Sequence, residues 1–217
     1  VVAHHTTPGN YRPGDCSESD GALRDHGPMK ILITGICGFV GSAIAEALLL
    51  RNADVRILGI DNLTRPGSEL NRYRLRQLGM NVAHGDIRCW SDMEALPAAS
   101  WVIDTAANPS VLAGVDGRTS SRQLFEHNLA SIGNVLEYCK RHDAGLVLLS
   151  SSRVYSIPSL VGLPLTVHDD AFVLDPDKPL PAGVSRSGIG TTFSTEPPVS
   201  LYGAMKLACE NLALEYG

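Results

Sequence analysis

Along the chain, short apolar runs alternate with longer segments in which apolar residues recur at helical spacing. Residues 30–34 (K-I-L-I-T) lack the in–out alternation of a half-exposed strand, which predicts a parallel strand buried on both faces. The Ala- and Leu-rich segment 42–50 predicts a helix. A strand at 54–60, a helix at 69–78, a strand at 81–84 and a short helix at 91–96 come next. The pattern continues with a strand at 101–104, a long helix at 120–141 and a strand at 145–150. Residues 200–216 predict a last helix, with Ser200 as its N-cap. Repeated βα units with short links predict an α/β fold, a doubly wound parallel sheet with both faces covered.

Two regions break this rhythm. Residues 1–28 are rich in Gly, Pro, Asp, Ser and His and show no apolar periodicity, so they read as a disordered leader, with the folded unit at 29–217. An insertion at 157–199 is rich in Pro, Gly and Ser. Within it, 163–167 and 171–174 flank a polar turn and predict a β-hairpin. A long insertion inside an α/β domain is usually functional or disordered, and this one is expected near a substrate site.

Composition narrows the function classes. The 217 residues are 44% hydrophobic and 19% charged, which fits a globular domain with a real core. The net charge of −5 argues against nucleic-acid or anionic-membrane partners. No apolar run is long enough for a membrane span. Cys16, Cys37, Cys89, Cys139 and Cys209 are scattered without a C-x-x-C, so neither a disulfide framework nor a metal site is expected, and a reducing cytoplasm is the simplest setting.

Four local patterns carry chemistry. Residues 34–41 (T-G-I-C-G-F-V-G) place three glycines between a strand and a helix, as in a Rossmann-type dinucleotide site. Gly35 permits the tight turn, Gly38 lets backbone approach a pyrophosphate, and Gly41 lets the helix pack on the strand. The helix N-terminus then offers free N–H groups to the phosphates. Asp61, at the end of the second strand, can accept hydrogen bonds from ribose hydroxyls and would repel a 2′-phosphate, favouring NAD. Tyr202 and Lys206 are four residues apart on one helical face, where the ammonium favours the tyrosinate needed of a general base. Bringing a phenol from about 10 to about 7 takes roughly 4 kcal/mol. Ser150, Ser151 and Ser152 fall at the carboxyl end of the fifth strand, where open α/β sheets place ligands.

In this order, these motifs resemble the extended short-chain dehydrogenase/reductase family, specifically its nucleotide-sugar epimerases and dehydratases. H-G-D-I (84–87), T-A-A-N (105–108), Asn128 and S-S-S-R-V-Y (150–155) extend the match. The resemblance implies that Gly35, Gly38, Phe39, Val40 and Gly41 bind the pyrophosphate of NAD. It implies that Asp61 and Asn62 hold the adenosine ribose, that Asp86 and Ile87 flank the adenine, and that Thr105, Ala106 and Ala107 line the middle of the dinucleotide, with Asn128 near the cofactor ribose. Aligned back from Val154-Tyr155, Ser151 takes the catalytic Ser/Thr position; counted forward from the strand, Ser152 would. Tyr202 would be the acid/base, and Lys206 would hold the nicotinamide ribose.

Departures from the family pattern suggest a subclass. The 4,6-dehydratases follow the catalytic Thr with Asp-Glu, whereas Ser152 and Arg153 follow Ser151 here, which argues against dehydration. D-N-L-T-R-P-G-S-E (61–69) and S-S-S-R-V-Y-S-I (150–157) look most like the CDP-paratose 2-epimerase (CDP-tyvelose epimerase) branch. The rivals are a UDP-sugar 4-epimerase, a nucleotide-sugar reductase or dehydrogenase, and a non-enzymatic NAD sensor. The family carries a further C-terminal substrate region that this sequence lacks, which predicts an unpaired sheet edge, poor activity and aggregation of the chain alone. By analogy the long helices are candidate homodimer surfaces.

Overall fold

The computed structural model describes residues 2–4, 28–52, 54–114, 117 and 120–217. The elements in chain order are β1 (Val2–His4), β2 (Met29–Thr34), α1 (Phe39–Arg51), β3 (Val55–Asp61), α2 (Ser68–Gln77), β4 (Asn81–His84), α3 (Trp90–Glu94) and β5 (Trp101–Asp104). Next come α4 (Ser121–Phe125), a π-helical turn (Glu126–Ala130), α5 (Ser131–His142), β6 (Gly145–Leu148) and a 3-10 turn (Ser152–Val154). The chain ends with α6 (Ile157–Val161), β7 (Leu165–His168), β8 (Ala171–Leu174), β9 (Val184–Ser185), β10 (Gly188–Ile189) and α7 (Leu201–Tyr216).

The main sheet has the order β1-β6-β5-β2-β3-β4. Pairings among β2 to β6 are parallel. From β2 the chain winds outward to β3 and β4, then returns to the opposite side of β2 for β5 and β6. Winding therefore reverses between β2 and β5, and a crevice opens at their carboxyl ends. Both faces are covered, as the unbroken apolar strands require. Ile31 and Ile33 of β2 pack with Ile57, Ala45 and Leu75 on the α1/α2 side. Leu32 packs with Val102, Leu146, Ile132 and Cys209 on the α5/α7 side. This is the doubly wound, Rossmann-type sheet that the sequence predicts.

Three features differ from expectation. The helix expected at 120–141 is interrupted by the π-helical turn, where Ser131 Oγ donates back to the His127 carbonyl at 2.8 Å. The outer edge of β6, expected to be unpaired, is taken by β1 in antiparallel register, Val2 opposite Leu148 and His4 opposite Leu146. The rest of the expected leader, residues 1 and 5–27, lies outside the described residues, apart from residue 28. The predicted hairpin exists as β7–β8, with His168 inside β7 and the turn made by Asp169 and Asp170, both at positive φ. Among the described residues, no helix is long and apolar enough to cross a membrane.

Candidate functional site

A cleft of about 640 Å³ opens at the switch point, within the usual size range for small-ligand sites. Its floor is the glycine turn. Gly35 has φ +62°, and a Cβ there would fall 2.8 Å from the Ala106 Cα, so only glycine fits. The turn is tied down by Gly35 N–H to the Ile60 carbonyl at 2.8 Å and Gly38 N–H to the Gly35 carbonyl at 2.9 Å. Gly38 then precedes α1 as an N-cap without a capping side chain, and the first turn of α1 has no acidic residue. The first N–H groups of α1, at Phe39, Val40 and Gly41, thus border the cleft with the positive end of the helix dipole. This arrangement fits a pyrophosphate.

The sides of the crevice are stitched together beneath it. Thr34 Oγ1 donates to the Asp104 carboxylate and accepts the N–H groups of Thr105 and Ala106, each at 3.2 Å. Thr105 Oγ1 donates to the Thr34 carbonyl at 2.6 Å. Thr34 and Asp104 are buried, and burial pushes the Asp104 carboxyl above its ordinary range while the charge of Lys206 pulls it back. Thr105, Ala106 and Ala107 line the cleft above this network.

At one end of the cleft, Asp61 accepts the Cys37 N–H at 2.9 Å through Oδ2 and the Leu63 N–H at 2.8 Å through Oδ1. A carboxylate offers roughly four acceptor positions, so each oxygen keeps capacity for a ribose hydroxyl. Asn62 Nδ2 donates to Asp86 at 3.1 Å. Arg88 grips both oxygens of Asp86, at 2.9 and 2.6 Å, and these bonds hold its carboxyl well below the usual range. The same guanidinium donates to His127 Nε2 at 2.9 Å, which puts the ring proton of neutral His127 on Nδ1. Ile87 lines the cleft and is held through its carbonyl by Asn134 at 2.8 Å.

At the other end stand Tyr202 and Lys206 of α7, both nearly buried and both lining the cleft. Ser200 caps α7 by accepting the Gly203 N–H at 3.0 Å. Lys206 Nζ donates to the Leu149 carbonyl at 2.9 Å. The cleft therefore gathers the glycine turn, Asp61, Asn62, Asp86, Ile87, residues 105–107, Tyr202 and Lys206.

Other expected residues stand apart. Asn128 is buried behind the wall, where it binds the backbone of Asn108. Ser151 does not line the cleft; its Oγ accepts the Arg153 N–H at 3.1 Å as the N-cap of the 3-10 turn. Ser152 lies exposed in that turn, and of these three serines Ser150 is the one that lines the cleft. None of residues 157–199 lines the cleft, so the insertion is not part of this wall. Sequence reasoning missed Arg88 and His127. Arg88, two residues after Asp86 in the same turn, could have been noticed; His127 acts across a long separation.

The comparisons with known proteins agree with this geometry. The model of the NAD dependent epimerase/dehydratase family matches residues 31–217. CDP-paratose 2-epimerase from Salmonella typhi is 34% identical over 134 residues, which is 58% of this chain and 38% of that protein. UDP-glucuronate 4-epimerase 2 from Arabidopsis thaliana is 28% identical over 207 residues, 91% of this chain and 41% of that protein. A solved UDP-glucuronic acid 4-epimerase mutant from Bacillus cereus, in complex with a 4-deoxy-4-fluoro substrate analogue and NAD, superimposes with a TM-score of 0.58 at 25% identity, covering 87% of this chain and 52% of that one. The chain thus spans about half the length of its relatives or less. With a family match over nearly all of the βα core and a cleft shaped for a dinucleotide, this chain belongs to the NAD dependent epimerase/dehydratase family.

Proposed function

We propose that the chain is the cofactor-binding and acid–base part of an enzyme that epimerises a nucleotide sugar through a transient keto sugar. The supporting observation is that Tyr202 and Lys206 line the same cleft as the glycine turn and Asp61. When bound, NAD supplies a reversible hydride acceptor. Tyr202 takes the proton of the sugar hydroxyl as that carbon becomes a carbonyl, and gives it back when the opposite face is reduced. Lys206, anchored on the Leu149 carbonyl, lines the same cleft one helical turn from Tyr202. Ser151, at the position that the family resemblance assigns to the catalytic hydroxyl, would have to turn from its capping bond toward the reacting oxygen. The cycle has no net redox change.

The 34% identity to CDP-paratose 2-epimerase and the match to UDP-glucuronate 4-epimerases favour a CDP- or UDP-linked sugar, epimerised at C2 or C4. A homodimer through α5 and α7 is proposed by analogy. The test is product analysis of CDP- and UDP-sugars by NMR with wild type and Tyr202→Phe. The reading expects epimer formation without stoichiometric consumption of NAD, abolished in Tyr202→Phe while NAD binding persists. An unchanged rate in that variant would remove Tyr202 as the base. Stoichiometric NADH turnover would replace the epimerase by a reductase or dehydrogenase.

A further inference from the structure

Helix α7 carries a third polar residue in line with Tyr202 and Lys206. Glu210 follows Lys206 by four residues, on the same helical face. Lys206 Nζ donates to the Leu149 carbonyl at 2.9 Å, and the next residue, Ser150, donates its Oγ proton to Glu210 Oε1. Two successive turns of α7 thus grip two successive residues where β6 runs out. The Leu149 N–H is held in turn by the Asp104 carbonyl of β5 at 3.2 Å. Leu149 and Ser150 form cleft wall beside Tyr202 and Lys206, whereas Glu210 stands outside the cleft.

An ionised carboxylate accepts hydrogen bonds and cannot donate them. Ser150 has one hydroxyl proton, and Glu210 takes it. Toward the cleft, Ser150 therefore offers lone pairs alone. Without Glu210 the hydroxyl would rotate freely and present either a donor or an acceptor. We propose that Glu210 is a positioning residue that fixes Ser150 as a hydrogen-bond acceptor for an amide N–H of the ligand at the Tyr202–Lys206 end of the cleft, the carboxamide of the nicotinamide. This rests on reading the cleft as the dinucleotide site. It adds a selectivity device on the nicotinamide half that acts through α7 rather than through the glycine turn.

The test compares binding of NAD with binding of 3-acetylpyridine adenine dinucleotide, which keeps the ring carbonyl and lacks the amide N–H. Calorimetry on the 217-residue chain reads both dissociation constants. Wild type is expected to prefer NAD by about fivefold to tenfold, the worth of one hydrogen bond. Ser150→Ala should bind both dinucleotides equally, Glu210→Ala should narrow the preference because the freed hydroxyl accepts only part of the time, and Glu210→Gln, whose amide oxygen still accepts from Ser150, should recover it. Ser150→Ala keeps the test decisive if Glu210→Ala does not fold. A wild-type preference that survives in Ser150→Ala, or no preference in wild type, overturns the inference and leaves the dinucleotide reading standing. Failure of wild type to bind either compound overturns both.

Discussion

Asn128 treats the backbone of Asn108 as a paired strand would. Its Nδ2 donates to the Asn108 carbonyl at 3.0 Å, and its Oδ1 accepts the Asn108 N–H at 2.7 Å. The π-helical turn aims this buried side chain at the loop that follows β5, whose residues 105–109 line the cleft. Such turns inside helices are frequent at functional sites, and here the turn braces a cleft wall from behind. Asn128→Ala leaves both backbone groups unpartnered and should cost about 2–3 kcal/mol. Asn128→Asp keeps the acceptor but sets a buried carboxylate oxygen against the Asn108 carbonyl, and should cost at least as much. Urea denaturation measures both; a loss below about 0.5 kcal/mol in Asn128→Ala would contradict the bracing role.

The Arg88–Asp86 pair predicts a pH dependence. The native Asp86 carboxyl lies below its ordinary value of 3.8, chiefly through its bonds to Arg88, so the pair stabilises the fold fully above that value. The contribution fades as pH falls through the lower native value. The Arg88 side chain is 36% exposed, so solvent screening limits Arg88→Ala to a loss of about 1 kcal/mol at neutral pH. That difference should shrink at about pH 3 and in about 1 M salt. His127 adds a second arm. Its pKa is lowered from 6.5, first by burial and then by Arg88, so its contribution is present above 6.5 and declines below it. A wild-type minus Arg88→Ala difference that is flat with pH would contradict this account.

Gly203 presents opposing effects of known sign. Inside a helix, Gly→Ala ordinarily stabilises by about 1 kcal/mol. A Cβ at Gly203, however, would sit 2.0 Å from the Arg153 carbonyl oxygen, because α7 packs against the 3-10 turn there. The clash wins, and Gly203→Ala should destabilise by about 2 kcal/mol or more. Thermal unfolding checks it; a raised melting temperature would show that α7 and the turn are further apart.

Thiol chemistry separates the cysteines. Burial pushes Cys37 and Cys139 up to about 12 and Cys209 up to about 11, while Cys89 is exposed. Thiolate is the reactive form, so iodoacetamide at about pH 8 should label Cys89 first among these four. Labelling of the other three should wait for unfolding. Peptide mass spectrometry reads the order, and equal rates at Cys37 and Cys89 would contradict a closed glycine turn.

The sequence made some of the site legible and left the rest hidden. The glycine turn, Asp61 and the Tyr202–Lys206 pair are short-range patterns, each set by one strand end or one helix turn, and the structure gathers them in one cleft. The π-helical turn was invisible, because residues 120–141 carry an ordinary helical period. Its register depends on tertiary partners such as Cys209, whose Sγ donates to the Asn128 carbonyl at 3.1 Å. Ser150–Glu210 and Arg88–His127 join residues far apart in sequence, and single side-chain pairs leave no periodic trace. β1 is too short to announce itself, and its pairing with β6 is set by the edge it covers.

The central claim is that the nicotinamide end of a dinucleotide lies against Tyr202. Nuclear Overhauser contacts between bound NAD and the tyrosine rings test it most directly, with the Tyr202 signals assigned by their loss in Tyr202→Phe. The account predicts contacts from the nicotinamide ring protons to the Tyr202 ring. NAD bound with its nicotinamide protons close to other residues and silent toward Tyr202 would contradict it.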